Sequence, residues 1–273
     1  MYFDLNDGKY IKNNDSISLK FLYDTVLGRC ILKIMTTKIV ANICAKYMNS
    51  GFSKHRIKRF IKNNNINLDE YLEKDYKSFN DFFIRKIKPN KRKIDSGLIA
   101  VCDSKLSVYE VDSNSKFYIK NSVYTVDELI HDRNCYKYAL VFRLCVDDYH
   151  HYIFPDDGKI INNKHINGKL HTVQPIAFKK YKVFSENDRE VTFLNCSNLG
   201  NVCYVEVGAM IIGKIVNENK KSFKKGEEKG HFEFGGSTVI MLVEKDIKID
   251  EKIIDNTKNG IETIVKLGQK IGE

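Results

Sequence analysis

Ser237 follows two glycines, in Gly235-Gly236-Ser237-Thr238, and leads into the apolar run Val239-Ile240-Met241-Leu242-Val243. The arrangement suits a chain that cuts itself. Gly236 places no side chain beside its carbonyl and tolerates backbone angles that strain a peptide bond, and Ser237 holds a hydroxyl one residue away. Attack of that hydroxyl on the Gly236 carbonyl converts the amide into an ester. Elimination from the ester leaves a dehydroalanine, and its hydrolysis yields an N-terminal pyruvoyl group. The products are residues 1–236 and 237–273. The same four residues also fit a glycine turn ahead of a buried strand. A serine hydroxyl is almost never ionised at neutral pH, so the first reading needs an imidazole as base and a group to orient it.

Other blocks precede this one. In order they are Phe82-Phe83-Ile84-Arg85-Lys86-Ile87-Lys88-Pro89, Cys102-Asp103-Ser104-Lys105-Leu106, Asp148-Tyr149-His150-His151-Tyr152-Ile153-Phe154-Pro155, Leu170-His171-Thr172-Val173-Gln174-Pro175 and Val205-Glu206-Val207-Gly208-Ala209-Met210. With Phe234-Gly235-Gly236-Ser237-Thr238 they form an ordered set that closely resembles phosphatidylserine decarboxylase proenzymes, especially bacterial forms with a GGST-type cleavage site. The resemblance runs from about residue 20 to about residue 245. It implies that Ser237 becomes a pyruvoyl group forming a Schiff base with phosphatidylserine, that carbon dioxide leaves, and that phosphatidylethanolamine is released. Neither a metal nor pyridoxal phosphate is implied. Asp103 matches the aspartate that orients the base. The family's D-Y-H-x-x-H pattern is incomplete here, with His150 at its first histidine and Ile153 at its second. His151 adjoins His150 and on a strand would face the opposite way. His150 therefore ranks first as base and later proton donor, and His171 second.

The elements that must position these residues are of two kinds. Residues 16–87 read as helical: a long amphipathic segment from Ser18 to Met48, a break near Asn49-Ser50-Gly51, shorter helices around 53–62 and 68–74, and one starting at Ser78, where Asp81 follows at capping distance. From about Gly97, short apolar runs separated by Gly, Asn, Asp and Ser read as strands, interrupted by a helix that Thr125 caps. Lysine-rich residues 217–230 read as a solvated loop or hairpin tip. This is an α+β pattern, N-terminal amphipathic helices (1–87) followed by a β-rich catalytic core (88–273).

Charge is unevenly spread. Of a net +10, residues 1–62 hold 12 Lys/Arg against 4 Asp/Glu, a balance of +8, and the remainder 33 against 31, a balance of +2. Apolar Leu22, Leu27 and Ile31 recur at helical spacing among Lys20, Arg29, Lys33 and Lys38. Charges interrupt the segment too often for a span of about 20 apolar residues, so a helix lying on an anionic membrane surface is expected. Zinc spacing and stacking motifs that would suggest nucleic acid are missing from this basic segment. Seven cysteines, odd in number and without a C-x-x-C pair, fit a reducing, cytoplasmic face of the cell membrane, and the opening residues lack the apolar core of a secretory signal. The two cleaved chains are expected to stay associated, and a homo-oligomer is left open. The rival readings are a non-enzymatic membrane-associated β-domain and a pyruvoyl decarboxylase for another amine.

Overall fold

The computed structural model describes residues 1–12, 16–119, 122–210, 214–235 and 237–273. Among them are eight α-helices and seventeen strands, five of the helices before residue 84 and fifteen of the strands after residue 97, an α+β arrangement. Ten strands form one sheet, in the order Ser222–Phe223, Gly158–Ile166, Arg189–Cys196, Gly200–Val207, Ser237–Val243, Tyr138–Leu144, Ser104–Glu110, Glu262–Val265, Tyr2–Asp4, Lys9–Ile11. Tyr2–Asp4 runs parallel to Glu262–Val265, and the other paired neighbours are antiparallel.

The Ser237–Val243 strand lies in the middle of this sheet, and its apolar run follows from its position. Val239, Met241 and Val243 enter one hydrophobic cluster with Leu106, Leu140 and Phe142; Ile240 and Leu242 enter a second with Val141, Val191 and Val205. Alternate side chains thus meet two cores, one on each face, so no polar residue interrupts the strand after Thr238.

Before the sheet core come the helices, and here the sequence reading needs correction. The segment from 18 to 48 is three helices, Ile17–Asp24, Val26–Met35 and Lys38–Asn49. Thr25 takes extended backbone and its Oγ accepts a bond from Gly28 N at 2.9 Å. Thr37 does the same for Val40 N. Two threonine caps inside one apolar period therefore restart the helix twice. A Cβ on Gly28 would stand 2.0 Å from Phe21 O, so the first joint admits only glycine there. Leu22, expected to face lipid, instead packs against the second core cluster, beside buried Tyr23 and Leu32. The expected helix at 68–74 shrinks to a 3-10 turn at Leu68–Glu70, because Tyr71 bridges Ile87. Two strands, Tyr2–Asp4 and Lys9–Ile11, also precede the helices.

Capping signals elsewhere behave as read. Ser78 Oγ accepts from Asp81 N at 3.1 Å and Thr125 Oγ1 from Glu128 N at 3.1 Å. Residues 217–230, read as solvated, include parts of three strands. Within them Lys229 is buried, paired with Glu206, and its cation lies 5.1 Å from the Tyr204 ring. The strand expected from Met210 begins at Ile215, and Ile211, Ile212 and Gly213 lie outside the described residues.

A buried ion pair reaches across strands of the sheet. Arg143 Nε and Nη2 donate to Glu262 at 2.8 and 2.6 Å, and Nη2 also reaches Tyr2 Oη at 3.2 Å. One guanidinium therefore ties three strands together, two of them far apart in sequence. Glu262→Gln should lower the free energy of unfolding by about 3 kcal/mol, since it leaves the Arg143 charge buried without a counter-charge. Urea unfolding measures this, and Arg143→Met/Glu262→Leu should regain much of the loss. A single variant within about 0.5 kcal/mol of the parent would reject the role of the pair.

Candidate active site

Ser237 opens its strand opposite Leu144 and is fully buried. Among the described residues its Oγ has no hydrogen-bond partner, and neither has Oγ1 of Thr238. An orphan buried hydroxyl costs about 1–3 kcal/mol, so its retention points to a use. Gly235 has φ +151°, a conformation that other residues adopt only with strain. Gly236, the expected acyl donor, lies outside the described residues.

The approach to Ser237 is anchored in a separate aromatic cluster. The Phe234 ring packs edge-on against Phe79 and Phe83, with centroids at 4.9 and 5.1 Å, and its backbone N donates to Asn80 Oδ1 at 3.0 Å. These partners belong to the Phe79–Phe83 helix that Ser78 starts, so a local capping signal fixes what the cleavage segment rests on.

Phe83 also touches His150, ring centroids 4.2 Å apart, and so links the histidine to the segment before Ser237. His150 is fully buried, with Nδ1 2.9 Å from Asp148 O. A carbonyl can only accept, so Nδ1 carries hydrogen and, in the neutral ring, Nε2 is left as an acceptor. Nε2 is buried and has no partner among the described residues. Burial pushes the imidazole pKa down to about 4, which keeps the ring neutral at physiological pH.

The turn that holds His150 rests on a buried pair that the sequence reading did not single out. Lys105 Nζ donates to both Asp148 carboxylate oxygens, at 2.8 and 2.7 Å, and Asp148 Oδ2 also accepts from Cys145 N at 2.7 Å. Burial raises the Asp148 carboxyl, but the Lys105 ammonium outweighs it and holds the group below the ordinary range. Both residues lie inside the motif blocks. The sequence carried little signal for the pair, because Lys105 shares its strand with Ser104, Ser107 and Glu110, so its burial and its need for a counter-charge are not marked by the local pattern.

Asp103 is placed differently. Its buried carboxylate accepts from Arg92 Nη1 at 2.9 Å and Nη2 at 3.2 Å, from Lys266 Nζ at 3.2 Å and from Leu267 N at 2.8 Å. Among the described residues, its hydrogen bonds go to these groups and not to a histidine. His171 approaches from the other side of the strand. Its ring stacks on Tyr181 at 4.2 Å, Nδ1 lies 3.5 Å from Tyr23 Oη, and Nε2 is a second buried orphan acceptor or donor. Asn187 Nδ2 bonds both His171 O and Gly208 O, next to Val207, which pairs with Thr238. Burial lowers the His171 pKa to about 4 as well. The described contacts thus link His150 to the segment before Ser237 through Phe83 and Phe234, tie His171 through Asn187 to Gly208, next to the residue that pairs with Thr238, and hold Asp103 in a salt-bridge node two residues from Lys105.

The depressed histidine pKa values set a pH dependence. The folded value is below the unfolded 6.5, so the unfolded chain binds more protons between the two, and stability is complete above pH 6.5 and falls as pH drops toward 4. On going from about pH 7 to about pH 5, His150 alone should remove on the order of 2 kcal/mol. Urea midpoints at both pH values check this. If His150→Gln loses as much stability on acidification as the parent, burial of a neutral His150 is not the cause.

Similarity to known proteins points to one family. The model of the phosphatidylserine decarboxylase family matches residues 79–273, which include Asp103, His150, His171 and Ser237. Phosphatidylserine decarboxylase proenzyme 2 of Clostridium acetobutylicum is 50% identical over 280 residues, covering 99% of this chain and 96% of its own. The phosphatidylserine decarboxylase proenzymes of Fusobacterium nucleatum and Clostridium kluyveri are 38% and 39% identical, over 93% of this chain and 90% and 91% of theirs. On the strength of this near full-length match, the chain belongs to the phosphatidylserine decarboxylase family.

Proposed function

We propose that the chain converts phosphatidylserine to phosphatidylethanolamine and carbon dioxide after cutting itself between Gly236 and Ser237. The observation that carries this reading is the Ser237 hydroxyl, buried and without a hydrogen-bond partner among the described residues, two positions after a glycine at φ +151°, in a chain of this family. His150 Nε2 takes the hydroxyl proton as Oγ attacks the Gly236 carbonyl, while Nδ1–H stays on Asp148 O. The carbonyl orients the imidazole where a serine protease uses a carboxylate. Asp103 is a positioning residue: it fixes the start of the strand whose Lys105 holds Asp148. The pyruvoyl group left on residue 237 supplies the ketone that binds the substrate amine and draws off electrons as the carboxylate departs. His150 returns a proton to the former α-carbon, with His171 as the second imidazole at the strand entry.

Cleavage leaves residues 237–273 in place. Their first strand is bonded on both sides, to Gly200–Val207 and Tyr138–Leu144, and Glu262–Val265 pairs with Ser104–Glu110. Extraction of the fragment would break all three ladders, so chains 1–236 and 237–273 act as one body.

The basic helices are the membrane-facing layer. Val26, Leu27 and Ile34 of one helix, Ile39 and Ile43 of the next, and Phe52 are largely exposed, with Lys33 and Lys46 among them. No helix among the described residues is long and apolar enough to cross a bilayer. These residues insert into the interface, and the lysines meet anionic head groups on the cytoplasmic face. A cavity of about 440 Å³ lies behind this layer, lined by Arg56, Arg59, Phe60, Phe79 and Phe234. It offers guanidinium groups to a lipid phosphate three residues from Ser237.

Purified protein should resolve into two chains, with the 237–273 fragment lighter by one ammonia than a hydrolysis product. A free N-terminal serine in that fragment contradicts pyruvoyl formation. Ser237→Ala should remain whole and inactive; His150→Ala should slow cleavage by on the order of 100-fold or more, and Asp103→Ala should slow it less. Normal cleavage in His150→Ala would move the base to His171.

Membrane contact is tested by flotation with vesicles containing phosphatidylserine. Removal of residues 1–62 would strip Tyr23 and Leu32 from the core, so Ile34→Asp/Ile39→Asp is the better variant. Binding should fall by about tenfold or more, since each lost methylene contact is worth about 0.8 kcal/mol, and high salt should weaken the parent. Unchanged flotation of a folded variant would place the contact on another surface.

A further inference from the structure

His151, adjacent to His150 but turned away from it, belongs to a second constellation. The strands His151–Ile153 and Glu228–Phe232 are antiparallel, with His231 opposite His151 and Gly230 opposite Tyr152, and their register shifts between Glu228 and Gly230. Residues 228 and 231 are three apart, so in a regular strand they would face opposite sides. The bulge brings both to the same histidine. Glu228 Oε1 lies 2.8 Å from His151 Nδ1, and the His231 ring stacks on His151 at 5.0 Å. Gly230 makes the bulge feasible, because a Cβ there would stand 2.2 Å from Val216 O.

One ligand atom from each of His151, Glu228 and His231 lies within 4.8 Å of the other two. Zinc ligands about 2.0–2.1 Å from the metal stand roughly 3.4 Å from one another, so small side-chain rotations suffice to close the site. His151 Nε2 donates to Ile84 O at 3.1 Å, which fixes the ring and leaves Nδ1 as the metal-facing nitrogen. Among the described residues, no hydrogen bond occupies the His231 ring, and that ring is only partly buried, leaving room for a water. Lys86 Nζ lies 3.6 Å from Glu228 Oε2, on a largely exposed side chain that can swing away.

We propose that His151, Glu228 and His231 form a binding site for a divalent transition-metal ion of the zinc class. Two imidazoles and a carboxylate with an open position match that class better than the all-oxygen sets of magnesium or calcium. The ion staples the strand that follows His150 to the strand that delivers Ser237, six residues after His231. It is separate from the decarboxylation chemistry and does not depend on it.

The test uses the full-length Ser237→Ala chain, a single uncut species, titrated with cobalt(II) and then with zinc. One equivalent of cobalt should bind with visible ligand-field absorption and no thiolate charge-transfer band, and zinc should displace it and raise the melting temperature. His231→Ala, whose ring has no hydrogen bond to lose, should weaken binding by at least ~10-fold, the scale on which loss of an outer hydrogen-bond partner alone is felt. Glu228→Gln should act likewise. A cobalt spectrum dominated by thiolate bands and abolished by alkylation, or equal affinity in both variants, would overturn the assignment.

Discussion

A buried ammonium paired with a buried carboxylate, Lys105 with Asp148, is the contact on which the site depends. Neither charge could stay in this interior alone, because an unpaired ion there costs several kcal/mol. The pair fixes the turn after Tyr138–Leu144, and the Asp148 carbonyl then decides which imidazole nitrogen of His150 keeps its hydrogen. A base whose tautomer is set by a backbone carbonyl needs no second carboxylate beside it. Any excess negative charge next to His150 would raise its pKa, whereas burial lowers it and keeps Nε2 ready to accept a proton.

The aromatic cluster of Phe79, Phe82 and Phe83 joins two layers that otherwise share few residues. On one side lie Met48, Ile57 and Phe60 of the basic helices; on the other are Phe234 and His150. The proposed lipid-contact layer and the proposed cleavage segment therefore meet through the same rings. Apolar residues left exposed on these helices cost little in water when scattered, yet here they lie on neighbouring helices with lysines between them, which suits an interface of head groups and acyl chains.

Strand position explains why a cut chain can remain one molecule. If the chain is cut as proposed, residue 237 begins a strand flanked on both sides and buried on both faces, so the backbone ladders would survive loss of one covalent bond.

By itself the sequence determined the features that arise from neighbouring residues. Ser78 and Thr125 start helices because each side chain reaches an amide three residues on, and Val239–Val243 reads as a strand buried on both faces because its apolar run is short and unbroken. The order of the motif blocks carried the family and named Asp103, His150, His171 and Ser237. Tertiary structure decided what those residues touch. Asp103 meets Lys266 and Leu267 across more than 160 positions, and Lys105 meets Asp148 across 43, choices that no local period encodes. The same holds for Lys229, polar by composition but buried against Glu206, and for Leu22, turned from lipid to core when threonine caps cut one helix into three. Glu228 and His231 share a face only because of a bulge, a register property of two paired strands, and register is settled by packing rather than by spacing along either one.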